Sequence, residues 1–475
     1  MKQHHLIVFG AGSGGLVCAA GAAMMGVRVA LLEKHRMGGD CLNTGCVPSK
    51  AIIRAAKLAY DARRASDFGL EAQLGKVDLR QVLGSVRGVI GKIAHHDSVE
   101  RFSDLGVDVK LGSYRFINPQ EITNGSETLQ AKRFVIATGS RPRIPDLPGL
   151  TSASLLTSEN VWDLEELPER LVVLGGGPIG CELAQTFARL GSKVTLVQRR
   201  NRILPREDPD ASQVIQEIFR KEGIQLLLGC HHRRIREEGS RWVLELEHSE
   251  EGRKEIVFDR ILIAAGRSPN VEGLDLEKVG IHPGPHGLDV DSYLRTSAKH
   301  IYACGDIIGP YLFTHTADHQ ARTVLRNALF PGKSKINYQI IPWSTFTDPE
   351  VARVGMNEQE AQKRNLSYDV FHYPLRELDR AVCDREEEGF IKVLTQKGKD
   401  RILGVTLISS HGGDLLGEMV LAMKQGVGLK TLANLIHIYP TLSEINKRVS
   451  GVFQSSRLTP TTKKWLGRFF RWRFG

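Results

Sequence analysis

Residues 5–15 read HLIVFGAGSGG, an apolar run that ends in a turn containing Gly10, Gly12 and Gly15. An alanine-rich segment follows, and the run VRVALLE then ends at Glu33, which lies 23 residues after Gly10. This order of strand, glycine turn, helix and strand-end acid predicts a dinucleotide-binding unit. The glycines let a pyrophosphate approach the backbone, and the acid binds ribose hydroxyls. A glycine turn without a ligand is the alternative, and the position of the acid argues against it.

The same pattern returns at residues 171–200, LVVLGGGPIGCELAQTFARLGSKVTLVQRR. Its glycines are Gly175, Gly177 and Gly180. Gln198 stands where the first unit has its acid, and Arg199 and Arg200 follow. Two guanidinium groups in place of a carboxylate favour a 2′-phosphate, so this unit is predicted to bind NADPH rather than NADH. The alternative is that the arginines only solvate the end of a strand.

Two dinucleotide sites in one chain indicate an enzyme that moves electrons between two cofactors. The 475 residues are enough for about three domains. The net charge is +10, but no zinc-finger spacing or basic aromatic RNA motif accompanies it, so no nucleic-acid partner is expected. The seven scattered cysteines do not resemble a secreted disulfide framework, and no signal peptide or spanning apolar run is evident. These features predict a cytoplasmic protein, and no metal site is expected.

Two cysteines lie close together in residues 39–50, GDCLNTGCVPSK, where Cys41 and Cys46 are five positions apart. In one regular helix they would be displaced by about 7.5 Å, whereas the Cα atoms of a disulfide lie about 4.4–6.8 Å apart. An irregular loop at residues 43–45 is therefore expected, leading into a helix near Cys46 whose N-terminus lowers the thiolate pKa. Two buried structural cysteines are the alternative, although in a reducing compartment so tight a disulfide is more often catalytic.

Seven motifs occur in order along residues 4–455: GAGSGG, GGDCLNTGCVPSK, ATGS, GGGPIGCE, AAGRSPN, YACGD and PTLSE. Together they resemble the class I pyridine nucleotide-disulfide oxidoreductases, a family that includes dihydrolipoamide dehydrogenase, glutathione reductase and mercuric reductase. The resemblance implies an α/β fold with two Rossmann-like dinucleotide-binding domains, for FAD and NAD(P), plus a C-terminal α+β dimerisation domain that forms a homodimer. The implied boundaries are 1–149 and 271–337 for the FAD-binding and central parts, 150–270 for the NAD(P)-binding domain, 338–456 for the dimerisation domain and 457–475 for a basic aromatic tail.

The resemblance also implies residue roles. Cys41 and Cys46 would form a redox-active disulfide, with Cys46 against the flavin and Cys41 attacking the substrate. Lys50 would pair with Glu182 beside the flavin and the nicotinamide, and Asp306 would bind the flavin ribitol. The implied cofactor-binding residues are Gly10, Gly12, Gly15, Glu33, Gly39, Lys50, Thr138, Gly139, Asp306 and Thr314, together with Gly175, Gly177, Gly180, Arg199, Arg200 and Gly266.

The chain departs from the family's pattern near its C-terminus. Disulfide-reducing members usually carry a histidine in an H-P-T-x-x-E motif, but the run HIYPTLSE has Tyr439 in its place and retains Glu444. Tyr439 and Glu444 are the predicted catalytic residues here, although a tyrosine with an ordinary pKa of about 10 is a poor base. His437 is either a substitute base or a structural histidine. The chain also has no cysteine after Cys383, and Pro178 stands where several relatives have an aromatic gate over the flavin.

The predicted function is a FAD-dependent NAD(P)H oxidoreductase with a redox-active disulfide. Its electrons would come from NADPH, or NADH, and pass through FAD and Cys41–Cys46 to a disulfide, a soft metal ion or a quinone. The alternatives are a membrane-recruited flavoprotein redox sensor and a metal reductase similar to mercuric reductase. Residues 460–475 have the basic aromatic pattern of an amphipathic helix lying on a membrane, which adds possible peripheral membrane contact. Packing of these aromatic residues on the protein itself is the other reading.

Overall fold

The computed structural model describes residues 3–150, 155–239 and 241–475. The described residues divide into two compact units, one drawn from the ranges 3–199 and 223–337 and the other from 200–222 and 338–475. The α-helices are α1 (Ser13–Met24), α2 (Gly39–Asn43), α3 (Cys46–Arg63), α4 (Leu79–Ala94), α5 (Val99–Asp104), α6 (Pro178–Leu190), α7 (Pro209–Lys221), α8 (Thr314–Leu329), α9 (Glu358–Lys363), α10 (Asp379–Asp384), α11 (Gly412–Leu415), α12 (Gly417–Gln425), α13 (Leu429–Leu432), α14 (Glu444–Ser456) and α15 (Pro460–Phe474).

The β-strands are β1 (Gln3–Phe9), β2 (Val29–Glu33), β3 (Asp108–Leu111), β4 (Arg115–Asn118), β5 (Glu121–Thr123), β6 (Thr128–Ile136), β7 (Ser140–Pro142), β8 (Leu155–Leu156), β9 (Arg170–Leu174), β10 (Lys193–Gln198), β11 (Gln225–Leu228), β12 (Cys230–Glu238), β13 (Arg241–His248), β14 (Gly252–Phe258), β15 (Arg260–Ile263), β16 (Arg267–Pro269), β17 (Ile301–Ala303), β18 (Pro342–Thr345), β19 (Glu350–Gly355), β20 (Tyr368–Pro374), β21 (Phe390–Gln396) and β22 (Ile402–Ser409).

The first unit is built around a mixed sheet in the order β3-β2-β1-β6-β5-β4, with β17 parallel to β6. Successive side chains of a strand point to opposite faces of the sheet, and in β1 both faces are apolar. Leu6 and Val8 join one buried cluster with residues of α1 and α8. Ile7 and Phe9 join a second cluster on the other face. Burial on both faces is characteristic of the parallel part of an α/β sheet.

A second parallel sheet in this unit has the order β11-β10-β9-β15-β8. Strand β9, helix α6 and strand β10 repeat the arrangement of β1, α1 and β2, as the repeated glycine pattern predicts. An antiparallel sheet β12-β13-β14 and a short pair β7–β16 accompany it. The predicted α/β class with two Rossmann-like sheets is confirmed.

The second unit contains the antiparallel sheet β18-β19-β22-β21-β20, which packs on α12 and α14 through residues such as Met419, Val449 and Phe453. The segment 200–222 is attached to it by the buried Lys392 on β21. The Lys392 ammonium lies 2.8 Å from Asp208, 2.7 Å from Asp210 and 2.9 Å from Glu358. A buried lysine needs such partners, because an unpaired charge in a protein interior is strongly unfavourable. This unit contains the predicted C-terminal α+β domain, and residues 200–222, expected in the NAD(P)-binding domain, group with it.

No helix in the described part of the chain is both long enough and apolar enough to cross a membrane.

Candidate functional site

The glycine turns that precede α1 and α6 have the same close contact. A Cβ atom on Gly15 would lie 1.8 Å from the Gly10 carbonyl oxygen, and one on Gly180 would lie 1.8 Å from that of Gly175. Only glycine allows each helix to begin this near to its strand. Neither helix has an acidic residue in its first turn, so both N-termini keep the positive end of the helix dipole available to an anion.

Glu33 ends β2 and is buried beside the first turn. Its carboxylate accepts hydrogen bonds from the backbone amide of Ala11 at 2.8 Å and from that of His35 at 2.7 Å. The side chain is thereby held at the glycine turn, in the position predicted for a ribose-binding acid. Gly12 lies in the same turn, and a Cβ atom on Gly39 would come within 2.6 Å of the Gly12 Cα. The turn and the start of the cysteine segment are therefore in direct contact.

The two cysteines lie in different helices, as their spacing requires. Cys41 belongs to the short helix α2, and Cys46 is the first residue of α3. The irregular part is shorter than expected, because Asn43 still belongs to α2, with its side-chain amide donating to the Gly39 carbonyl oxygen at 2.8 Å. Both cysteines are free thiols, and Cys46 is exposed. The Cys46 sulfur also lies 3.6 Å from the hydroxyl of Thr314 at the start of α8.

The two thiols differ in acidity. A hydrogen bond from Cys41 lowers the pKa of Cys46 to about 6, and the Thr314 hydroxyl and the Lys50 charge act in the same direction. The same hydrogen bond raises the pKa of Cys41 well above its ordinary value. In the dithiol form Cys46 is therefore a thiolate at neutral pH, while Cys41 keeps its proton. A thiolate at a helix N-terminus is the reactive form of cysteine.

Lys50 and Glu182 form an ion pair in the first unit. The Lys50 ammonium lies one helical turn after Cys46 and 2.8 Å from the Glu182 carboxylate on α6. The Glu182 side chain is almost fully buried, whereas that of Lys50 is partly exposed. The pair predicted from the resemblance is therefore present, and it connects the cysteine helix to the helix that follows the second glycine turn.

Asp306 lies in a buried polar network that sequence reasoning did not find. The Ser140 hydroxyl donates to the Asp306 carboxylate at 2.6 Å, and Arg267 donates to the Ser140 hydroxyl at 2.7 Å. Arg267 also donates to the Asp40 carboxylate at 2.9 Å, next to Cys41. Burial raises the pKa of Asp306, which the Ser140 hydrogen bond and the Arg267 charge oppose. Ser140 and Arg267 belong to the motifs ATGS and AAGRSPN, so the sequence marks both residues. It does not indicate that they contact each other.

Two further contacts surround this network. The Thr138 hydroxyl donates to the Asn270 carbonyl oxygen at 2.7 Å, and the Asn270 amide nitrogen donates to the Gly139 carbonyl oxygen at 3.0 Å. Gly266 lies directly before β16, which pairs with β7.

The turn between the cysteines has a contact that the sequence did not predict. The Trp162 ring nitrogen donates to the Thr44 carbonyl oxygen at 2.9 Å and so fixes this turn.

The residues predicted to choose between NADP and NAD lie at the end of β10. The Gln198 side-chain oxygen accepts from the Arg199 amide at 2.9 Å, so it caps the strand end. Arg199 and Arg200 are both exposed. Gly177, in the turn of the same unit, has no atom within 4 Å of the place a Cβ atom would take. There is therefore open space near the glycine turn, and two cationic side chains lie at the end of the strand.

Tyr439, Glu444 and His437 belong to the second unit, and they do not form a hydrogen-bonded dyad. The Tyr439 hydroxyl donates to the Asp379 carboxylate at 2.9 Å, and this bond raises the pKa of Tyr439. Glu444 begins α14, with Arg448 3.7 Å away. The His437 ring lies 3.2 Å from Glu418 and is nine-tenths buried. Tyr439 is thus held in its protonated form, and His437 has the surroundings of a structural side chain.

A groove lies beside the cysteine helix. Its volume is about 660 Å³, and α3 and α4 line it. Cys46, Lys50 and Arg54 are at its polar side, and the rest of the lining includes apolar side chains such as Leu58 and Val89. The groove therefore reaches the Cys46 end of the pair.

The comparisons with known proteins agree with this arrangement. Residues 4–321 match the model of the pyridine nucleotide-disulphide oxidoreductases, and residues 341–449 match the dimerisation domain of the same proteins. The mercuric reductase of Staphylococcus aureus is 32% identical, over 93% of this chain and 81% of the relative. The dihydrolipoyl dehydrogenase of Thermus scotoductus is 36% identical, over 94% of this chain and 96% of the relative.

Among solved structures, the HOCl-induced flavoprotein disulfide reductase RclA from Escherichia coli matches with a TM-score of 0.85. It is 28% identical, and the match covers 94% of this chain and 99% of that one. RclA has also been solved as a Cu(II) complex, which matches with the same TM-score, with 28% identity over 95% of this chain and 100% of that one.

Proposed function

Because the chain belongs to the pyridine nucleotide-disulphide oxidoreductase family, we propose that it carries electrons from NADPH through FAD and the Cys41–Cys46 pair to a soft metal ion. The family is FAD-dependent and uses pyridine nucleotides, so the general reaction class is given. The observation that carries the finer proposal is the thiol pair. A hydrogen bond between the two thiols lowers the pKa of Cys46, at the start of α3, and raises that of Cys41 in α2.

The residues of the first unit fit FAD. The turn before α1 offers backbone amides at a helix start without a competing acid, and Glu33 is held beside it. The Asp306 carboxylate is mostly buried, accepts a hydrogen bond from Ser140 and lies 3.6 Å from Arg267, and it offers a further acceptor to a hydroxyl-rich chain. When bound, FAD supplies the two-electron chemistry that links a nicotinamide to a disulfide. The Lys50–Glu182 ion pair would lie beside the flavin and the nicotinamide, on the side of the cysteine helix.

The chain's own groups account for the thiol chemistry. Two electrons and one proton convert the Cys41–Cys46 disulfide to a Cys46 thiolate and a Cys41 thiol, in which Cys41 donates to Cys46. To attack a substrate disulfide, Cys41 must lose its proton to a base, and the leaving thiolate must gain one. A soft cation needs neither transfer from a side chain, because binding to sulfur displaces the thiol proton into water.

The segment 437–444 supports the same choice of acceptor. Tyr439 is bonded to Asp379, and its raised pKa keeps the phenol protonated at neutral pH. The phenol therefore cannot accept a proton from Cys41. Names among the relatives point in this direction, since one is a mercuric reductase and RclA has been solved with Cu(II). The two electrons of the dithiol reduce one ion that accepts two electrons, or two ions that each accept one. The dimerisation-domain match supports a homodimer as the working form.

An anaerobic titration with NADPH followed by an acceptor panel tests the proposal. Cu(II) and Hg(II) should turn over faster than lipoamide, oxidised glutathione or a quinone, and Cys41→Ser should lose this activity. Cys383→Ser is the matched control, because Cys383 is also exposed but lies outside the pair. Faster reduction of lipoamide than of either metal ion would contradict the assigned acceptor. Absence of turnover with every acceptor would favour the alternative, a redox sensor.

The nucleotide preference needs a separate test. Charge-assisted hydrogen bonds contribute about 1.5–3 kcal/mol each, so losing one should cost about tenfold or more in NADPH affinity. Arg199→Ser and Arg200→Ser should therefore weaken NADPH binding while leaving NADH binding little changed. Lys193→Ser, at the opposite end of β10, is the control. Equal effects on both nucleotides would show that the arginines do not contact a 2′-phosphate.

A further inference from the structure

The last helix of the chain, α15, is exposed along most of its length. It begins with its own cap, since the Thr459 hydroxyl accepts from the Thr462 amide at 3.1 Å and Pro460 takes the first helical position. None of its residues is buried. Trp465 is 68% exposed and Trp472 is 80% exposed. The other exposed apolar side chains of this helix are Leu466, Phe469, Phe470 and Phe474. So many aromatic side chains in water indicate a surface that another phase or molecule covers.

The charge of this segment has one sign. Residues 457–475 contain six lysine or arginine residues and no aspartate or glutamate. At 100° per residue, Lys464, Arg468 and Arg471 fall on one stripe of the helix. Lys463 and Arg473 fall within the apolar arc, where long side chains can extend their charge toward water. No acidic residue lies on the stripe or elsewhere in residues 457–475, so nothing in the segment neutralises this charge.

The aromatic side chains form the opposite arc and contact one another. The ring of Phe469 lies 5.6 Å from that of Phe470 and 5.9 Å from that of Trp472. Phe470 and Phe474 lie 6.2 Å apart. A helix with tryptophan and phenylalanine on one face and lysine and arginine on the other has the composition of helices that lie in a membrane interface.

We propose that α15 lies in the headgroup region of an anionic lipid bilayer and holds the protein at a membrane surface. Charge decides between this occupant and a second copy of the same helix, because two copies of α15 would bring five positive charges against five. An anionic surface attracts every one of those charges. The helix has 15 residues and five lysines or arginines, so it suits a position along the interface and not across the bilayer. The inference is independent of the electron acceptor, since it uses only residues 457–475.

Vesicle sedimentation with the full-length protein tests it. Vesicles of equimolar phosphatidylglycerol and phosphatidylcholine should sediment the protein at low salt, and vesicles of phosphatidylcholine alone should bind much less. A variant ending at Thr459 should stay in the supernatant. Each basic residue near an anionic surface is worth about fivefold in partitioning, which corresponds to about 1 kcal/mol. The triple variant Lys464→Ser, Arg468→Ser, Arg471→Ser should therefore bind about a hundredfold more weakly.

Two controls separate this from other readings. The triple variant Lys76→Ser, Lys132→Ser, Arg133→Ser removes the same charge from exposed positions elsewhere and should sediment like the parent protein. Tryptophan emission of the parent should shift to shorter wavelength on adding anionic vesicles, because Trp465 and Trp472 enter the interface. Equal sedimentation of the parent and the variant ending at Thr459 would overturn the proposal. So would dissociation of a dimer, or a lower Tm, on removing residues 460–475, because the aromatic face would then pack on protein.

Discussion

The segment around Cys46 and the segment 437–444 differ in how completely the chain equips them for thiol chemistry. At Cys46 a helix start, the Cys41 thiol, Thr314 and Lys50 all stabilise a thiolate. At residues 437–444 the Tyr439 hydroxyl is bonded to Asp379, and Nε2 of His437 lies 3.2 Å from Glu418 while its Nδ1 is buried without a hydrogen-bond partner among the described residues. We therefore expect electron storage in the cysteine pair and proton delivery to a substrate to depend on different residues, so that this chain could keep the first and lack the second.

The largest effect is expected at the thiol pair itself. Cys46→Ser should abolish turnover and also the long-wavelength thiolate–flavin charge-transfer band of the two-electron-reduced protein, because no thiolate faces the flavin. Cys41→Ser should show that band already in the oxidised protein, since Cys46 can then form no disulfide. Absorbance spectra of the FAD-loaded variants check this. Unchanged spectra in both variants would show that the cysteine pair does not lie against the flavin.

The second effect concerns the missing base. Tyr439→His should raise lipoamide reductase activity about a hundredfold, because a positioned general acid or base contributes about 10²–10⁴-fold. The new imidazole has Asp379 or Glu444 as a carboxylate to orient it. The steady-state rate with lipoamide should rise while the rate with Cu(II) stays unchanged, since the metal reaction gains nothing from the base. Tyr439→Phe is the matched control and should alter neither rate. A gain with Phe equal to that with His would show that the phenol only blocks access.

The third effect is a shift in acidity. Cys46 should react with iodoacetamide with a midpoint near its pKa of about 6, against an ordinary value of 9.0. The thiolate is present above the pKa and lost as the pH falls through it. Cys41→Ala removes the hydrogen-bond donor that lowers the pKa most, so the midpoint should move toward 9.0 and the alkylation rate at neutral pH should fall. Cys41→Ser keeps a donor and should shift less. An unmoved midpoint in Cys41→Ala would assign the low pKa to Lys50, Thr314 and the helix start.

The local parts of this site could be predicted from the sequence, and the long-range parts could not. The glycine turns and the helix start at Cys46 follow from backbone requirements that a few neighbouring residues express. The Lys50–Glu182 pair followed from the resemblance, and the 2.8 Å contact agrees with it. The link from Asp40 through Arg267 and Ser140 to Asp306 depends on the pairing of β7 with β16, which no local pattern encodes. The engagement of Tyr439 by Asp379 is likewise a contact across 60 positions of the chain.

The smallest effect is expected at His437. It decides whether the segment 437–444 lacks a catalytic base or has His437 as that base. Its ring is nine-tenths buried and lies 3.2 Å from Glu418, which also accepts from the Asn446 amide at 2.8 Å. His437→Ala should lower the free energy of unfolding by about 1–3 kcal/mol, because Glu418 loses a buried partner.

His437→Gln keeps a donor for Glu418 and should lose less stability than His437→Ala. Neither variant should change the residual lipoamide reductase rate more than about twofold, since surface proton transfer through a buried, paired ring is not available to a substrate. Thermal denaturation and steady-state rates measured on the same samples separate the two roles. A rate lowered tenfold or more in His437→Gln with Tm unchanged would make His437 the proton carrier, and the chain would then have moved its base by two residues and not lost it.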